Sequence, residues 1–360
     1  MRTVLLIILL TVINASAQTP TPQRNYPAPV EGDYTIQNFQ FHSGETLPEL
    51  KIHYRTIGSP TRNASGVVNN AVLIGHGTGG TGTQFLSAQF ANVLFGPGQL
   101  LDATRYFIIL PDGIGHGKSS KPSDGLHAKF PHYTYDDMVV ALHEVLTRKL
   151  GVDHLRLVMG TSMGGMQSWV WGETYPDFMD ALMPLASLPV EIAGRNRIWR
   201  KMAMDAIRND PEWQGGDYKT QPLRALTTAE DLLLLVGSAP LFWQKQAPTR
   251  DAADKFYEDR VKPAVARLDA NDLLYQIDCS REYNPEPKLE SIKAPLIAIN
   301  SADDFINPPE LGIIEREIKR VKRGRFVMIP ISDQTRGHGT HTIPAIWQGY
   351  LKTLLEESGR

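Results

Sequence analysis

The pentapeptide Gly160-Thr161-Ser162-Met163-Gly164 follows the apolar run Leu155 to Met159 and precedes a stretch that reads as a helix. A serine set between a buried strand and a helix N-terminus needs a sharp turn, and small residues two positions to either side let the strained backbone pass its neighbours. Gly160 and Gly164 supply that room. The turn also aims the backbone N–H of Met163, at the helix start, toward whatever the serine attacks. A Gly/Ser loop without chemistry would carry the same pentapeptide, so its meaning depends on its context.

Around it, apolar runs alternate with amphipathic stretches. Tyr34 to Phe41 and Leu50 to Ile57, separated by His42-Ser43-Gly44-Glu45, read as an antiparallel pair at a sheet edge. Ala71 to Ile74 is a strand ending in Gly75-His76-Gly77-Thr78-Gly79-Gly80, and Gln84 to Phe95 has helical spacing. The His-Gly turn is where a second oxyanion donor arises, and the backbone N–H of Thr78 is the choice for it. A phosphate-cradling loop is disfavoured there, because the turn has no G-K-[ST] and no G-x-G-x-x-G spacing with a downstream acid. Tyr106 to Leu110 is a further buried strand, followed by a Gly-rich excursion in which His116 is read as structural. Tyr135 to Leu150 carries a helical stripe closed by Gly151. This alternation implies right-handed crossovers and a mostly parallel central sheet with helices on both faces, with ligands at the carboxyl ends of the strands.

A serine hydroxyl is a weak nucleophile at neutral pH and requires a base, which in turn requires an orienting group. In this topology the chain order is Ser, acid, His. The acid follows the strand Leu296 to Ile299, where Asp304 is preferred for its Asp304-Phe305-Ile306-Asn307-Pro308 context and Asp303 is the alternative. The base follows the strand Phe326 to Ile329: His338, flanked by Gly337 and Gly339, with His341 read as a helix cap. A metal held by His338 and His341 lacks a convincing third ligand.

Residues 190–284 break the alternation with helix-like stripes and read as an inserted helical cap, so the core is divided into 34–189 and 285–360. Thr342 to Leu355 reads as the closing helix. Residues 1–17 have the basic, apolar and A-x-A zones of a secretory signal peptide with cleavage near Ala17/Gln18, and 18–33 form a Pro-rich lead-in. The apolar run is too short for a stable membrane span. One cysteine, Cys279, allows neither an intramolecular disulfide nor a Cys-rich metal site. A net charge of −2 without basic blocks gives no electrostatic ground for nucleic-acid binding.

Several stretches resemble the homoserine O-acetyltransferase branch of the α/β-hydrolase superfamily: Tyr135-Asp136-Asp137-Met138-Val139, Ser162-Met163-Gly164-Gly165-Met166-Gln167, Asn209-Asp210-Pro211-Glu212-Trp213 with Gly215-Gly216-Asp217-Tyr218, Asp269-Ala270-Asn271-Asp272, and Gly337-His338. The resemblance implies an α/β-hydrolase fold with a helical cap, the triad Ser162, Asp304 and His338, and an acyl-serine intermediate. Two departures concern the substrate. Members that acylate homoserine have an Asp after the catalytic His, where this chain has Gly339, and their oxyanion turn is typically His-Ala-Leu-Thr-Gly, where this chain has His76-Gly77-Thr78-Gly79-Gly80. The expectation is therefore an exported serine esterase acting on a small acyl ester, periplasmic or secreted. It uses Ser162, His338 and Asp304, with Thr78 and Met163 as oxyanion donors, and needs no cofactor and no metal. An O-acyltransferase is the alternative, and an inactive binding protein on the same scaffold is the alternative from another class. No nucleic-acid partner and no stable membrane insertion are expected, and a homodimer is left open.

Overall fold

The alternation is realised as one eight-stranded sheet in a computed structural model, which describes residues 24–359. The signal-peptide segment and residues 18–23 of the proposed lead-in lie outside the described residues. The strands are β1 (Val30–Gln40), β2 (Thr46–Ile57), β3 (Ala71–Gly75), β4 (Phe107–Pro111), β5 (Leu157–Thr161), β6 (Leu182–Leu185), β7 (Leu296–Ser301) and β8 (Gly324–Ile329). Their spatial order is β1-β2-β4-β3-β5-β6-β7-β8. β1 and β2 form an antiparallel ribbon joined to β4, and every other pairing is parallel. β1 begins at Val30, inside the stretch read as lead-in.

The central strands are buried along their whole length but for Gly75 at the end of β3, as a parallel sheet covered on both faces requires. One face is covered by α2 (Tyr135–Glu144) and α3 (Met163–Thr174), through Met138, Val139, Leu142, Trp169 and Val170. The other is covered by α1 (Ala88–Leu94) and α10 (Pro344–Glu357), through Phe90, Leu94, Trp347, Leu351 and Leu354. α2 starts at a capping box: Asp137 N–H donates to Thr134 Oγ1 at 3.2 Å, and Thr134 N–H donates to the Asp137 carboxylate at 2.8 Å. It continues into a π-helical turn, Val145–Lys149, which ends before Gly151 with φ 63°. The helix expected over Gln84 to Phe95 is instead a 3-10 turn, Gly82–Leu86, followed by α1 after a break at Ser87.

Between β6 and β7 lie α4 (Gly194–Arg208), α5 (Leu223–Val236), α6 (Pro240–Gln246), α7 (Arg250–Val265) and α8 (Ala270–Asp278). These helices share a small core of their own, built from Met204, Ile207, Leu226, Ala229, Val261, Leu273 and Ile277. They are tied to the sheet's carboxyl edge by specific polar bonds. Ser123 N–H and Oγ–H both donate to Asp272, Gln276 Nε2–H donates to Gly115 O at 2.7 Å, and Tyr275 O–H donates to Phe130 O at 2.7 Å. After β7 comes the short α9 (Ile313–Glu317). Among the described residues no single helix is long and apolar enough to cross a membrane.

Candidate active site

β3 and β5 are sequence-distant strands that pair in parallel, with Gly75 opposite Gly160, so the two Gly-rich turns that follow them meet. From β3 the chain moves to β4 on one side, and the sheet continues through β5 on the other. That is the reversal of strand order at which open α/β sheets bind ligands. The close approach is a backbone matter. A Cβ on Gly164 would lie 2.0 Å from Gly75 O, and one on Gly160 would lie 2.2 Å from the carbonyl of Gly164. Gly164 N–H donates to His76 O at 2.9 Å, which joins the helix start to the His-Gly turn.

Ser162 sits between β5 and α3 with φ 56° and ψ −112°, a conformation costly for a residue with a Cβ. Its N–H donates to Leu185 O at 2.9 Å and its carbonyl accepts from Met166 N–H at 2.8 Å, so the strained turn is held from both sides. Ser162 Oγ lies 2.8 Å from His338 Nε2, and His338 Nδ1 lies 2.8 Å from Asp304 Oδ2. A carboxylate can only accept, so His338 Nδ1 carries the proton and Nε2 is left to accept from the serine hydroxyl.

Asp304 is fully buried yet held ionised. Burial pushes its carboxyl up, but His338 and the hydrogen bonds from Asn307 outweigh burial and leave it below the usual carboxylate range. Oδ1 accepts the N–H groups of Ile306 at 2.8 Å and Asn307 at 3.1 Å, and Oδ2 also accepts Asn307 Nδ2–H at 3.1 Å. The same Asn307 amide donates to Ala186 O at 3.0 Å, beyond the end of β6, which pins the acid's loop to the turn after the neighbouring strand. Asp303 is occupied elsewhere. Its carboxylate accepts from Ser301 Oγ and, at 2.8 Å, from Thr335 Oγ1, so it clamps the loop that carries His338 rather than the imidazole itself.

The oxyanion side is set by a peptide plane. Gly77 O accepts from Gly80 N–H at 2.9 Å and pairs with His76 Nδ1 at 2.8 Å. In a trans peptide the N–H points opposite to the C=O, so the Thr78 N–H is directed away from His76. Gly77 itself packs against the nucleophile, with its Cβ position 3.5 Å from Ser162 Cβ. Met163 is the first residue of α3, so its N–H has no partner four residues back within the helix. His76 is held neutral, because burial pushes its pKa down, and its Nε2 accepts from Gly113 N–H at 2.9 Å. The His116 ring lies 4.9 Å from that of His76, tilted by 57°, with its Nδ1 on Ile114 O at 2.8 Å, and burial lowers it to about 3.

His341, read as a helix cap, is not one. The N-terminus of α10 has no side-chain cap, and His341 is enclosed in the 3-10 turn Gly339–Thr342 with its ring 5.3 Å from that of His338. Burial and the neighbouring His338 lower it to about 3. Its carbonyl accepts from Trp347 Nε1–H at 3.1 Å, which fixes the loop on α10. Among the described residues no group of three or more His, Cys, Asp or Glu is placed to hold a metal ion. Asn307 is the site residue that sequence reasoning passed over, although it stood in the quoted context of Asp304. A cavity of about 570 Å³ runs beside this machinery between α4 and the loop after Asp304, touching Met166, Asn196 and Asn307 without reaching the triad.

Such a fold and such a serine, imidazole and carboxylate line define a class, and the comparison of families agrees with it. The family described as alpha/beta hydrolase fold matches residues 70–328, and this chain belongs to it. Within it the chain belongs to the homoserine O-acetyltransferase-like branch. It is 33% identical to a probable acyltransferase of Methanothermobacter thermautotrophicus, across 78% of this chain and 85% of the relative. It is 30% identical to a homoserine O-acetyltransferase of Moorella thermoacetica, across 88% of this chain and 94% of the relative. In fold it is similar to the acetyl esterase MekB, with TM-score 0.78, 24% identity and coverage of 91% of this chain and 97% of that one. The protein is a serine-dependent hydrolase or acyltransferase of this superfamily.

Proposed function

We propose that the protein is an exported esterase that cleaves a small acyl ester through an acyl-serine intermediate. The observation that carries this reading is the unbroken line from Ser162 Oγ through His338 to Asp304. Ser162 Oγ attacks the acyl carbon while its proton passes to His338 Nε2, and the carbonyl oxygen becomes an oxyanion facing the N–H groups of Thr78 and Met163. The bond to the alcohol oxygen then breaks, and that oxygen takes the proton from His338. Water attacks the acyl-serine, gives a proton to Nε2, and the acid leaves as Ser162 regains its hydrogen. Asp304 orients His338 and balances its charge while the imidazole is protonated.

Water as the final acceptor is favoured by Gly339, which puts no carboxylate directly after the base in the chain to receive an amino group, and by the His-Gly-Thr-Gly-Gly form of the oxyanion turn. The second reading, transfer of the acyl group to an alcohol such as homoserine, is supported by the activity of the relatives. Export is part of the proposal and rests on the N-terminal zones of residues 1–17. Fluorophosphonate labelling of Ser162, followed by p-nitrophenyl acetate turnover with and without homoserine, separates the readings. Acetate as the main product supports the esterase, whereas acetylated acceptor as the main product overturns it. N-terminal sequencing of protein from the periplasmic or extracellular fraction is expected to begin at Gln18. Recovery of the uncleaved chain in the cytoplasm overturns export.

A further inference from the structure

Gln84 lies on the 3-10 turn Gly82–Leu86, and its half-buried side chain spans the two Gly-rich turns that meet at the nucleophile. Oε1 accepts from Gly77 N–H at 3.3 Å, and Nε2–H donates to Thr161 Oγ1 at 3.0 Å. A backbone N–H can only donate, so the amide oxygen faces Gly77 and the amide nitrogen faces Thr161. Gly77 directly precedes Thr78, and Thr161, buried at the end of β5, directly precedes Ser162. One neutral side chain therefore ties the oxyanion turn to the strand that carries the nucleophile.

The base of this strut is fixed as well. Gly82 N–H donates to Asp112 Oδ1 at 2.9 Å, and that buried carboxylate also accepts from Arg55 Nη1–H at 2.8 Å. A Cβ on Gly82 would lie 2.4 Å from Leu110 O, so the 3-10 turn is pressed against the end of β4. The far end leaves equally little room, since a Cβ on Gly80 would lie 2.8 Å from Gln84 Oε1.

The consequence concerns which N–H is left for the substrate. Two successive N–H groups, those of Gly77 and Thr78, belong to the turn beside Ser162, and Gln84 takes the first. The peptide between His76 and Gly77 is then held at both ends, because its carbonyl accepts from Gly164 N–H at 2.9 Å. The next peptide, which carries the Thr78 N–H, hinges on Gly77, whose backbone has the freedom of a residue without a Cβ. Without the bond to Gln84 the turn would lose the contact that holds Gly77 against that freedom.

We propose that Gln84 is a positioning residue for the oxyanion donor: it anchors Gly77 so that the N–H of Thr78 keeps its place relative to Ser162. It acts through the turn and is not itself a donor to the oxyanion. The proposal rests on acyl-serine chemistry, which hydrolysis and acyl transfer share.

The test uses Gln84→Met, which keeps the length of the side chain and removes both bonds, and Thr161→Val, which breaks the same strut at its other end. Active sites are first counted by titration to completion with a fluorophosphonate, so that loss of folded protein cancels. Per active site, Gln84→Met is expected to lower kcat for p-nitrophenyl acetate by ~10-fold or more with KM within ~3-fold of wild type. The inhibition constant of trifluoroacetone, which forms a tetrahedral oxyanion on the serine, should rise by the same factor as kcat/KM falls. Thr161→Val should lose less, and adding it to Gln84→Met should cost nothing further, because the strut is already gone. A smaller loss in Gln84→Met, an inhibition constant that does not move, or losses that simply add in the double variant each overturn the inference. Exchange of the Gly77 amide, followed by NMR of glycine-labelled protein, scores the anchor without turnover and should quicken by ~10-fold or more in Gln84→Met. Unchanged exchange likewise overturns it. If the wild-type protein neither turns over esters nor binds trifluoroacetone, the acyl-serine reading fails, and the exchange rate alone decides whether Gln84 anchors the turn.

Discussion

At the carboxyl edge of the sheet, backbone meets backbone: the Cβ positions of Gly160, Gly164 and Gly165 all lie within 2.3 Å of a carbonyl from a neighbouring segment. In the cap, Gly194 and Gly215 have nothing within 4 Å of theirs, and Ile198, Met202, Leu223, Leu235 and Leu241 stand exposed. The first region has one solution, because carbonyl and Cα positions cannot give way. The second is an assembly of helices around a small core, which can change side chains without moving the nucleophile. Chemistry common to esterases and acyltransferases belongs to the first region, and the second is free to vary side chains that face a substrate without disturbing that chemistry.

That division is tested most severely at Ser162. Ser162→Ala is expected to lower kcat by ~10⁶ while leaving thermal stability near that of the wild type, since the strained turn is held by Leu185 O and Met166 N–H rather than by the hydroxyl. Stopped-assay kinetics with p-nitrophenyl acetate checks it, and a rate within tenfold of wild type would mean that the line to His338 is not the reaction centre. The two adjacent aspartates sharpen the point. Asp304→Asn removes the carboxylate that holds the His338 tautomer and should cost ~10⁴ in kcat. Asp303→Asn removes only the clamp to Ser301 and Thr335, so its kcat should stay within ~10-fold of wild type. Equal losses would show that Asp303 can serve as the acid.

The glycines carry the contrast into stability. Gly164→Ala drives a methyl group into Gly75 O, a backbone atom that cannot rotate aside, and is expected to cost ~3 kcal/mol or more in urea unfolding. An unchanged urea midpoint would rule out the tight approach of the two turns.

Much of this was legible in the sequence because each feature had a local cause. The elbow announces itself through its glycines, and α2 through its apolar stripe. The order of acid and base follows the strands. β6 was not legible: at four residues it is short, and Pro184 inside it argues against a central strand, which it tolerates in parallel pairing opposite Gly160. Asn307 was invisible in its role because its value lies in reaching Ala186 O, 121 positions back in the chain. Export, an expectation drawn from residues 1–17 alone, lies outside what the fold can report.

Protonation probes the sheet edge without mutation. His76 and His116 are buried and His341 is half-buried, all three as neutral rings with pKa values pushed down, the last two to about 3. Below about pH 6.5 the unfolded chain binds protons at these sites and the folded chain does not, so stability present above that pH falls as pH drops toward the folded values. Each ring adds up to ~1.4 kcal/mol per pH unit to the slope. Urea midpoints between about pH 4 and pH 7 should therefore rise with pH, and His116→Gln should flatten the curve. A flat profile in the wild type would mean that these imidazoles are charged in the fold.

The smallest effect belongs to the cap. Gly215 has φ 67° and open space around its Cβ, so Gly215→Ala meets no atom and pays only for the left-handed backbone, ~1 kcal/mol. Gly215→Asn should cost less, because a short polar side chain tolerates that conformation. The preceding Gln214 already adopts φ 51° with a full side chain, which shows that the turn accepts a Cβ. Urea midpoints for the two variants, set beside that of Gly164→Ala, measure how differently the two regions are held. If Gly215→Ala were as damaging as Gly164→Ala, the cap would share the rigidity of the sheet edge and could not be the region in which substrate choice varies independently of the chemistry.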